Sequence, residues 1–400
     1  MLTEAQQLKP RLIELRRAIH RQPELGFAVH RTAELVARTL SELGIETQTG
    51  VGKTGVLGYL GDADAGAPVV AIRADMDALP IQEINQVEYA SQVPGQMHAC
   101  GHDAHTAMLL GAAMLLARVE LPGQIRLIFQ PSEETTDEEG ISGAPRMMDD
   151  GALKGVNSVI ALHVDGTLDT GRITVGGGKV CAAVDSFRVH IIGRGGHGAH
   201  PDLANDPIWL TAQVLNALYA VPSRRIDPLL PSVLSLGIVR GGGASNVIPG
   251  SVYLEGTLRS MDENVREKLI DEVTRCLDVA RALGGNYELQ VERGYPPMFN
   301  DPGVADQIRR VGLDLLGDSG LGTPRLTMGA EDFSYMTAAS PGAMFNLGVK
   351  LPGAEPRYLH TPDFNLDEDA LPIGAAMLAE AALRLLHAAV SADRARRDTP

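Results

Sequence analysis

The run Met97-His98-Ala99-Cys100-Gly101-His102-Asp103-Ala104-His105 packs a thiol, three imidazoles and a carboxylate beside a flexible glycine. Cys100 and His102 lie two apart, so in an extended or turning segment both side chains can aim at one centre. Soft sulfur and borderline imidazole are the donors that a first-row divalent ion prefers, zinc above all. A lone Cys-Gly-His is a weak signal and gains weight only from donors elsewhere. Three more stand at expected element ends: Glu134, His163 and His360. Taken singly, His163 reads as a satisfied core histidine and His360 as an ordinary loop residue. Together, five donors are too many for one tetrahedral ion, which points to two metals sharing a water.

Glu133-Glu134 is the second signal. Adjacent carboxylates usually mark a solvated loop, and Asp137-Glu138-Glu139 follows closely. Here, however, they come after an apolar strand and Pro131, where a sheet ladder must end. Their side chains diverge, so Glu134 can bind metal while Glu133 acts on the metal-bound water as general base and then acid. Asp75 and Asp77, in Arg73-Ala74-Asp75-Met76-Asp77, can orient the histidines from behind. A plain strand-end turn is the competing reading for both.

Such a centre needs rigid elements to carry it. Leu12, Leu15 and Ile19 at helical spacing predict a first amphipathic helix. A second runs from about His30 to Leu43 and stops at Gly44. Val69–Ile72, Gln124–Phe129 and Val159–Leu162 read as strands, the last ending at His163, and Ala107–Ala117 as a buried helix. Alternating strands and helices predict an α/β domain with a largely parallel sheet flanked by helices. In such sheets ligands bind beyond the carboxyl ends of the strands. After Cys181 the pattern becomes βαββαβ. Strands are expected near Phe187–Ile191, Val233–Val239, Ser251–Arg259 and Tyr287–Glu292, with helices from Asp206-Pro207 to about Tyr219 and from a capping box at Ser260–Glu263 to about Leu283. This is a ferredoxin-like α+β order. The expected division is a metal-binding catalytic domain over 1–183 and 295–400, interrupted by a smaller lid over 184–294.

Bulk properties agree. Four hundred residues exceed the usual span of one core. Apolar residues make up 44% and charged residues 21%, an ordinary globular balance. A net charge of −15 repels phosphate backbones, so no nucleic-acid partner is expected. Cys100, Cys181 and Cys276 form no disulfide framework. The N-terminal residues show no signal-peptide pattern, and no apolar run of bilayer length stands out, so no membrane partner is expected. A reducing, cytoplasmic setting fits these features.

The segments Arg73–Pro80, His98–Asp103, Gln130–Glu134, Gly195-Gly196-His197-Gly198-Ala199-His200-Pro201, Asn246-Val247-Ile248-Pro249 and Gly329-Ala330-Glu331-Asp332-Phe333 follow one another along nearly the whole chain. In this order they resemble the dinuclear aminoacylase and carboxypeptidase-like metallopeptidases. Within that family the chain is similar to the amidohydrolase branch containing hippurate hydrolases, N-acyl-amino-acid amidohydrolases and indole-acetyl-amino-acid hydrolases. The resemblance implies that Cys100, His102, Glu134, His163 and His360 bind two divalent ions (Zn, Mn, Co or Ni), with Glu133 as the base and Asp77 in support. It implies a lid that forms a homodimer or homotetramer, with His197 crossing into the partner's site to stabilise the oxyanion. Asn246 and Gly329 would meet the substrate. Arg259, ending a lid strand, has the fork geometry to clamp a substrate carboxylate. Many members of the branch have a glycine run after the paired glutamates, whereas this chain reads Thr135-Thr136-Asp137-Glu138-Glu139-Gly140; the departure bears on substrate preference. The expected activity is hydrolysis of the amide of small N-acyl amino acids, with carboxypeptidase or dipeptidase action on short peptides as the alternative. A thiol hydrolase using Cys100 and His102, and a non-catalytic metal- or ligand-binding protein on the same fold, are the rivals.

Overall fold

The computed structural model describes residues 1–62 and 67–397. In chain order the elements begin with α1 (Leu2–Arg21), α2 (His30–Glu42), β1 (Glu46–Val51), β2 (Gly55–Leu60), β3 (Val69–Asp75), α3 (His102–Leu116), β4 (Gln124–Gln130), α4 (Gly143–Asp149), β5 (Ser158–Asp169) and β6 (Ile173–Thr174). Then come β7 (Gly178–Cys181), β8 (Ala183–Ile192), β9 (Gly196–His197), α5 (Pro207–Arg224), β10 (Ser232–Gly241), β11 (Val247–Ile248), β12 (Ser251–Ser260), α6 (Glu263–Ala282) and β13 (Asn286–Arg293). The last are β14 (Met298–Asn300), α7 (Pro302–Leu316), α8 (Phe333–Ala339), β15 (Gly342–Lys350) and α9 (Ala370–Arg397). Two compact units result: Met1–Gly178, Phe299–Arg325 and Tyr335–Pro400 form one, Lys179–Met298 and Leu326–Ser334 the other. Leu326–Ser334, and with it Gly329, thus groups with the second unit, whereas the sequence reading put it in the catalytic domain.

The first unit is built on a seven-stranded sheet in the order β1-β2-β4-β3-β5-β15-β6. The four central strands are parallel and the outer pairings antiparallel. β3 and β4 are buried along their whole length, which is why Val69–Ile72 and Ile125–Phe129 read as apolar runs rather than alternating patterns. Every residue of α3 is buried too, and α1 and α9 pack against it. Three expectations change. The buried helix starts at His102 rather than Ala107. β5 does not end at His163 but runs to Asp169, because β15 stays paired beside it after β3 has left at Ala161. An apolar run of bilayer length does exist, Ala370–Ser391; Leu371, Ala375, Leu378 and Ala382 on it are core residues of this unit.

The second unit has a four-stranded antiparallel sheet in the order β10-β12-β8-β13. Phe187, Val189, Ile191, Leu254 and Leu258 point into a core shared with α5 and α6, while Arg188, His190, Tyr253 and Glu255 alternate outward. Asp206 caps α5 by accepting from the Ile208 amide, with Pro207 in the first turn. α6 is capped by Asp262, which accepts from Asn264 and Val265, rather than by Ser260.

A buried polar layer joins α1 to the first turn of α3. Arg16 Nε donates to Asp103 Oδ2 at 2.7 Å, and His20 Nδ1 lies 2.8 Å from the same oxygen. His98 in the same region is buried with neither ring nitrogen hydrogen-bonded, and burial pushes its pKa down to about 3. A histidine kept neutral by the fold loses stability as pH drops below its unfolded value of about 6.5, since only the unfolded chain then takes up the proton. Relative to His98→Phe, the wild type should lose up to about 1.4 kcal/mol per pH unit as pH falls from about 6.5 to 4. Urea midpoints across this range check it, and equal acid sensitivity in the two proteins would overturn it.

Candidate active site

β3 and β4 run parallel and end at one edge of the sheet, where the pairing of β3 with β5 also stops, the edge where ligands bind in such folds. The Met76 amide still donates to Gln130 O at 2.8 Å, and Asp77 follows immediately. The Asp77 carboxylate accepts from the amides of Glu133 (3.0 Å) and Glu134 (3.1 Å). Its carbonyl oxygen lies 2.8 Å from His102 Nδ1. A carbonyl can only accept, so His102 Nδ1 carries a proton and Nε2 faces the site. Asp77 thus orients His102 through its backbone while its side chain holds the paired glutamates. Ser132 (φ 51°) and His360 (φ 60°) are in the left-handed region, the kind of local strain that gathers at functional sites.

The donors from four separate segments meet here. Cys100 Sγ is 3.4 Å from His163 Nε2 and 3.3 Å from His360 Nε2. Glu134 Oε1 is 3.1 Å from His360 Nε2 and 3.9 Å from His102 Nε2. Three overlapping sets have their ligand atoms within 4.8 Å of one another: Cys100, His102 and His163; Cys100, Glu134 and His360; His102, Glu133 and Glu134. Cys100, His102 and Glu133 are buried, whereas the His360 side chain is 53% exposed, so the cluster opens to solvent on its side. The His360 amide donates to Ala99 O at 2.8 Å, tying that loop to the cysteine segment. Gly101, between the two ligating candidates, has φ 87°, and a Cβ there would come within 2.4 Å of Val164 Cγ2. Only glycine satisfies both demands.

Burial, reinforced by Glu134, Glu133 and Asp75, pushes the Cys100 thiol well above its ordinary range. That is the reverse of what a nucleophilic thiol needs, and it counts against the thiol-hydrolase rival. Burial opposes charge on His102, but Asp75, Asp77 and Glu134 outweigh it and hold its pKa up at about 10. His102 Nε2 is nevertheless buried without a hydrogen-bond partner, while Glu134 Oε1 is paired with His360 Nε2. Orphaned buried donors and acceptors call for an ion or ligand. Sulfur, nitrogen and oxygen donors crowded among carboxylates suit divalent cations, so these residues fit the implied metals.

Beneath the cluster, Asp75, expected to orient the histidines, lies against Arg73 and His105, to which sequence reasoning gave no role. Asp75 Oδ2 is 2.6 Å from Arg73 Nη1, and Asp75 Oδ1 is 2.6 Å from His105 Nδ1. Burial outweighs the attraction of Asp75 and pushes the His105 pKa down to about 4. The available signal was His105 itself, three residues after His102 and so on the same side of a helix. Asp137, in the segment that departs from the glycine run, accepts from the amides of Glu139 and Ile141 and from Lys53 Nζ and Arg146 Nε. The segment is thus held as an ion-paired turn.

His197, Asn246, Arg259 and Gly329 all belong to the second unit. His197 on β9 pairs with Val247 on β11, and the Gly198 amide donates to Asn246 O at 2.8 Å, so His197 and Asn246 are neighbours. His197 Nδ1 accepts from the Ala199 amide at 3.1 Å, which places the proton of the neutral ring on Nε2. Arg259 is half-buried on β12 opposite Val184. Gly329 is exposed, and its carbonyl accepts from the Ala182 amide.

Because the Asp77 carboxylate holds the paired glutamates, Asp77→Ala, which keeps the carbonyl facing His102, should weaken zinc binding to metal-stripped protein roughly 10- to 100-fold. Calorimetric titration measures this, and wild-type affinity in the variant would overturn the assignment.

Residues 71–384 match the family described as Peptidase family M20/M25/M40. The chain is 39% identical over 378 residues to thermostable carboxypeptidase 2 of Saccharolobus solfataricus, covering 93% of this chain and 94% of that protein. It is 37% identical over 380 residues to IAA-amino acid hydrolase ILR1-like 2 of Arabidopsis thaliana, covering 94% and 85%. Among solved structures it is similar to the YXEP protein of Bacillus subtilis, described as a dinuclear metal binding peptidase of the M20 family, with TM-score 0.82 and 33% identity over 96% of this chain and 99% of that one. Homology along nearly the full length thus agrees with the donor cluster and its paired glutamates, and the chain belongs to peptidase family M20/M25/M40, a family of hydrolases.

Proposed function

We propose that this protein is a metal-dependent amidohydrolase that cleaves the amide bond of N-acyl amino acids, with Glu133 as general base. The observation that carries the reading is the convergence of five metal donors with a sixth, buried carboxylate, Glu133, whose donor atom lies within 4.8 Å of those of His102 and Glu134. A protein that only bound metal would have no use for that extra carboxylate. Two divalent ions (Zn, Mn, Co or Ni) held by Cys100, His102, Glu134, His163 and His360 would polarise the scissile carbonyl and acidify the attacking water. Glu133 takes the proton from that water and returns it to the leaving nitrogen. The hydrogen bond from the Glu133 backbone N–H to Asp77 fixes the backbone from which this side chain extends.

The lid residues complete the reading. His197 Nε2–H is a donor for the developing oxyanion, with Asn246 beside it. Arg259 offers two parallel N–H groups to the free carboxylate of the amino acid, and Gly329 adds backbone contact to the substrate. His197 and Val247 pair in a two-stranded sheet of their own, and Arg259 pairs with Val184 in a ladder that runs to Ser251 opposite Ile192. From Arg259 to Ser251 alone it covers about 27 Å at about 3.4 Å per residue. His197 follows Ile192, at the far end of this ladder, by five residues, which favours Arg259 and His197 acting on different substrate molecules. This supports a dimer in which His197 acts on the partner's substrate. β10 is an edge strand, and Ile208, Trp209, Tyr219 and Val239 on α5 and β10 are 48–56% exposed, a surface suited to pairing with a second copy.

Carboxypeptidase action on short peptides is the second reading, favoured by the similarity to the Saccharolobus protein. Both substrate classes present a carboxylate next to the cleaved amide. Assays on N-acetyl, N-benzoyl and indole-acetyl amino acids against dipeptides separate them: higher kcat/KM on acyl amino acids is expected, and a clear preference for peptides would overturn the first reading.

Glu133→Ala should lower kcat roughly 1,000-fold while the purified protein keeps its metal; near-normal turnover would refute the base assignment. Chelation should abolish activity and Zn, Mn, Co or Ni restore it, whereas full activity in verified metal-free protein would refute the metal requirement. Mixing inactive Glu133→Ala and His197→Ala chains should recover about a quarter of wild-type activity, since half the random dimers are mixed and each has one intact site. No recovery would show that His197 acts within its own chain.

A further inference from the structure

We propose that His105 is a positioning residue that sets the place of the candidate ligand His163 through the Val164 backbone. The proposal rests on the reading of His102 and His163 as metal ligands. Both ring nitrogens of His105 are engaged. Nδ1 lies 2.6 Å from Asp75 Oδ1, and Nε2 accepts from the Val164 amide at 3.0 Å. An amide can only donate, so Nε2 bears the lone pair and Nδ1 the proton. The other tautomer, or the imidazolium, would set one N–H against another. Asp75 is held in turn by Arg73 Nη1. Asp75, His102 and His105 have donor atoms close enough to hold an ion themselves, but His105 could bind one only by giving up its bond to Asp75 or to Val164.

The sheet explains why this support is needed. Ala161 is the last residue of β5 paired with β3, while β15 continues on the other side. Beyond that point a buried β5 amide on the β3 side has no strand to bond, and an unpaired buried amide is costly. His105 Nε2 supplies the acceptor. Val164 O in turn lies 2.9 Å from His163 Nδ1, which leaves His163 Nε2 facing Cys100 Sγ at 3.4 Å. The His105 ring also packs edge-on against His163, with centroids 4.7 Å apart, and lies 5.4 Å from the His102 ring. A chain of bonds thus runs from Arg73 through Asp75, His105 and Val164 to the ligand ring.

Calorimetric titration of zinc into metal-free wild type, His105→Phe, His105→Gln and His105→Asn tests this. Gln puts an acceptor near the position of Nε2, while Asn reaches only the position of Nδ1. The expected result is that the wild type takes up two ions, that His105→Phe loses roughly 10- to 100-fold in affinity for one of them, and that Gln restores more of the loss than Asn. His105→Phe binding both ions like the wild type, or Gln rescuing no better than Asn, overturns the proposal alone. A wild type that takes up no ion overturns the ligand reading and the proposal with it. Should His105→Phe not fold, histidine ¹⁵N spectra of the metal-free wild type decide: an Nδ1–H tautomer with Nε2 accepting a hydrogen bond is expected, and an Nε2–H tautomer overturns the proposal.

Discussion

Three hydrogen bonds to one residue hold the candidate site together. Asp77 receives the amides of Glu133 and Glu134 on its carboxylate and faces the His102 ring with its carbonyl. It thereby joins the end of β3, the loop after β4 and the start of α3, segments that share no sequence neighbourhood. A parallel sheet makes such a junction necessary. Its strands end at the same edge, and the chain beyond them has backbone groups that no ladder satisfies. At this edge those groups are bonded by side chains, and the side chains so used fix where the donors point.

The same logic governs the buried charges. The protein carries an excess of acidic residues, and an unpaired buried carboxylate is costly. Asp75 is matched by Arg73 and His105, and Asp103 by Arg16 and His20. Against that background, His102 Nε2, buried and without a hydrogen-bond partner, stands out as a group reserved for something the chain does not itself provide. Structural pairing beneath and open valence above give the cluster a rigid floor and a reactive face. The His360 side, more than half exposed, is where solvent meets that face.

The second unit solves a different problem. Its sheet is covered on one side by α5 and α6 and polar on the other, so it is stable as an antiparallel layer with its own core. Arg259 stands on its main ladder and His197 on a separate two-stranded one.

Much of this was legible in the residues. Cys100, His102, Glu134, His163 and His360 could be named as donors because thiol, imidazole and carboxylate groups are chemically conspicuous, and they lie together in the fold. The βαββαβ order of the second unit followed from clear alternation and from caps such as Asp206-Pro207. What could not be read was anything set by a neighbour distant in sequence. β5 extends past His163 only because β15 lies beside it. Leu326–Ser334 joins the second unit through pairings such as that of Ala182 with Gly329. His105 was visible as a third imidazole, but its work depends on an amide left unpaired where β3 departs. Local chemistry names the reactive groups, because side-chain type is a property of each residue alone. Which of them stay free and which become supports is settled by tertiary contacts, because a buried polar atom takes whatever partner the fold brings to it.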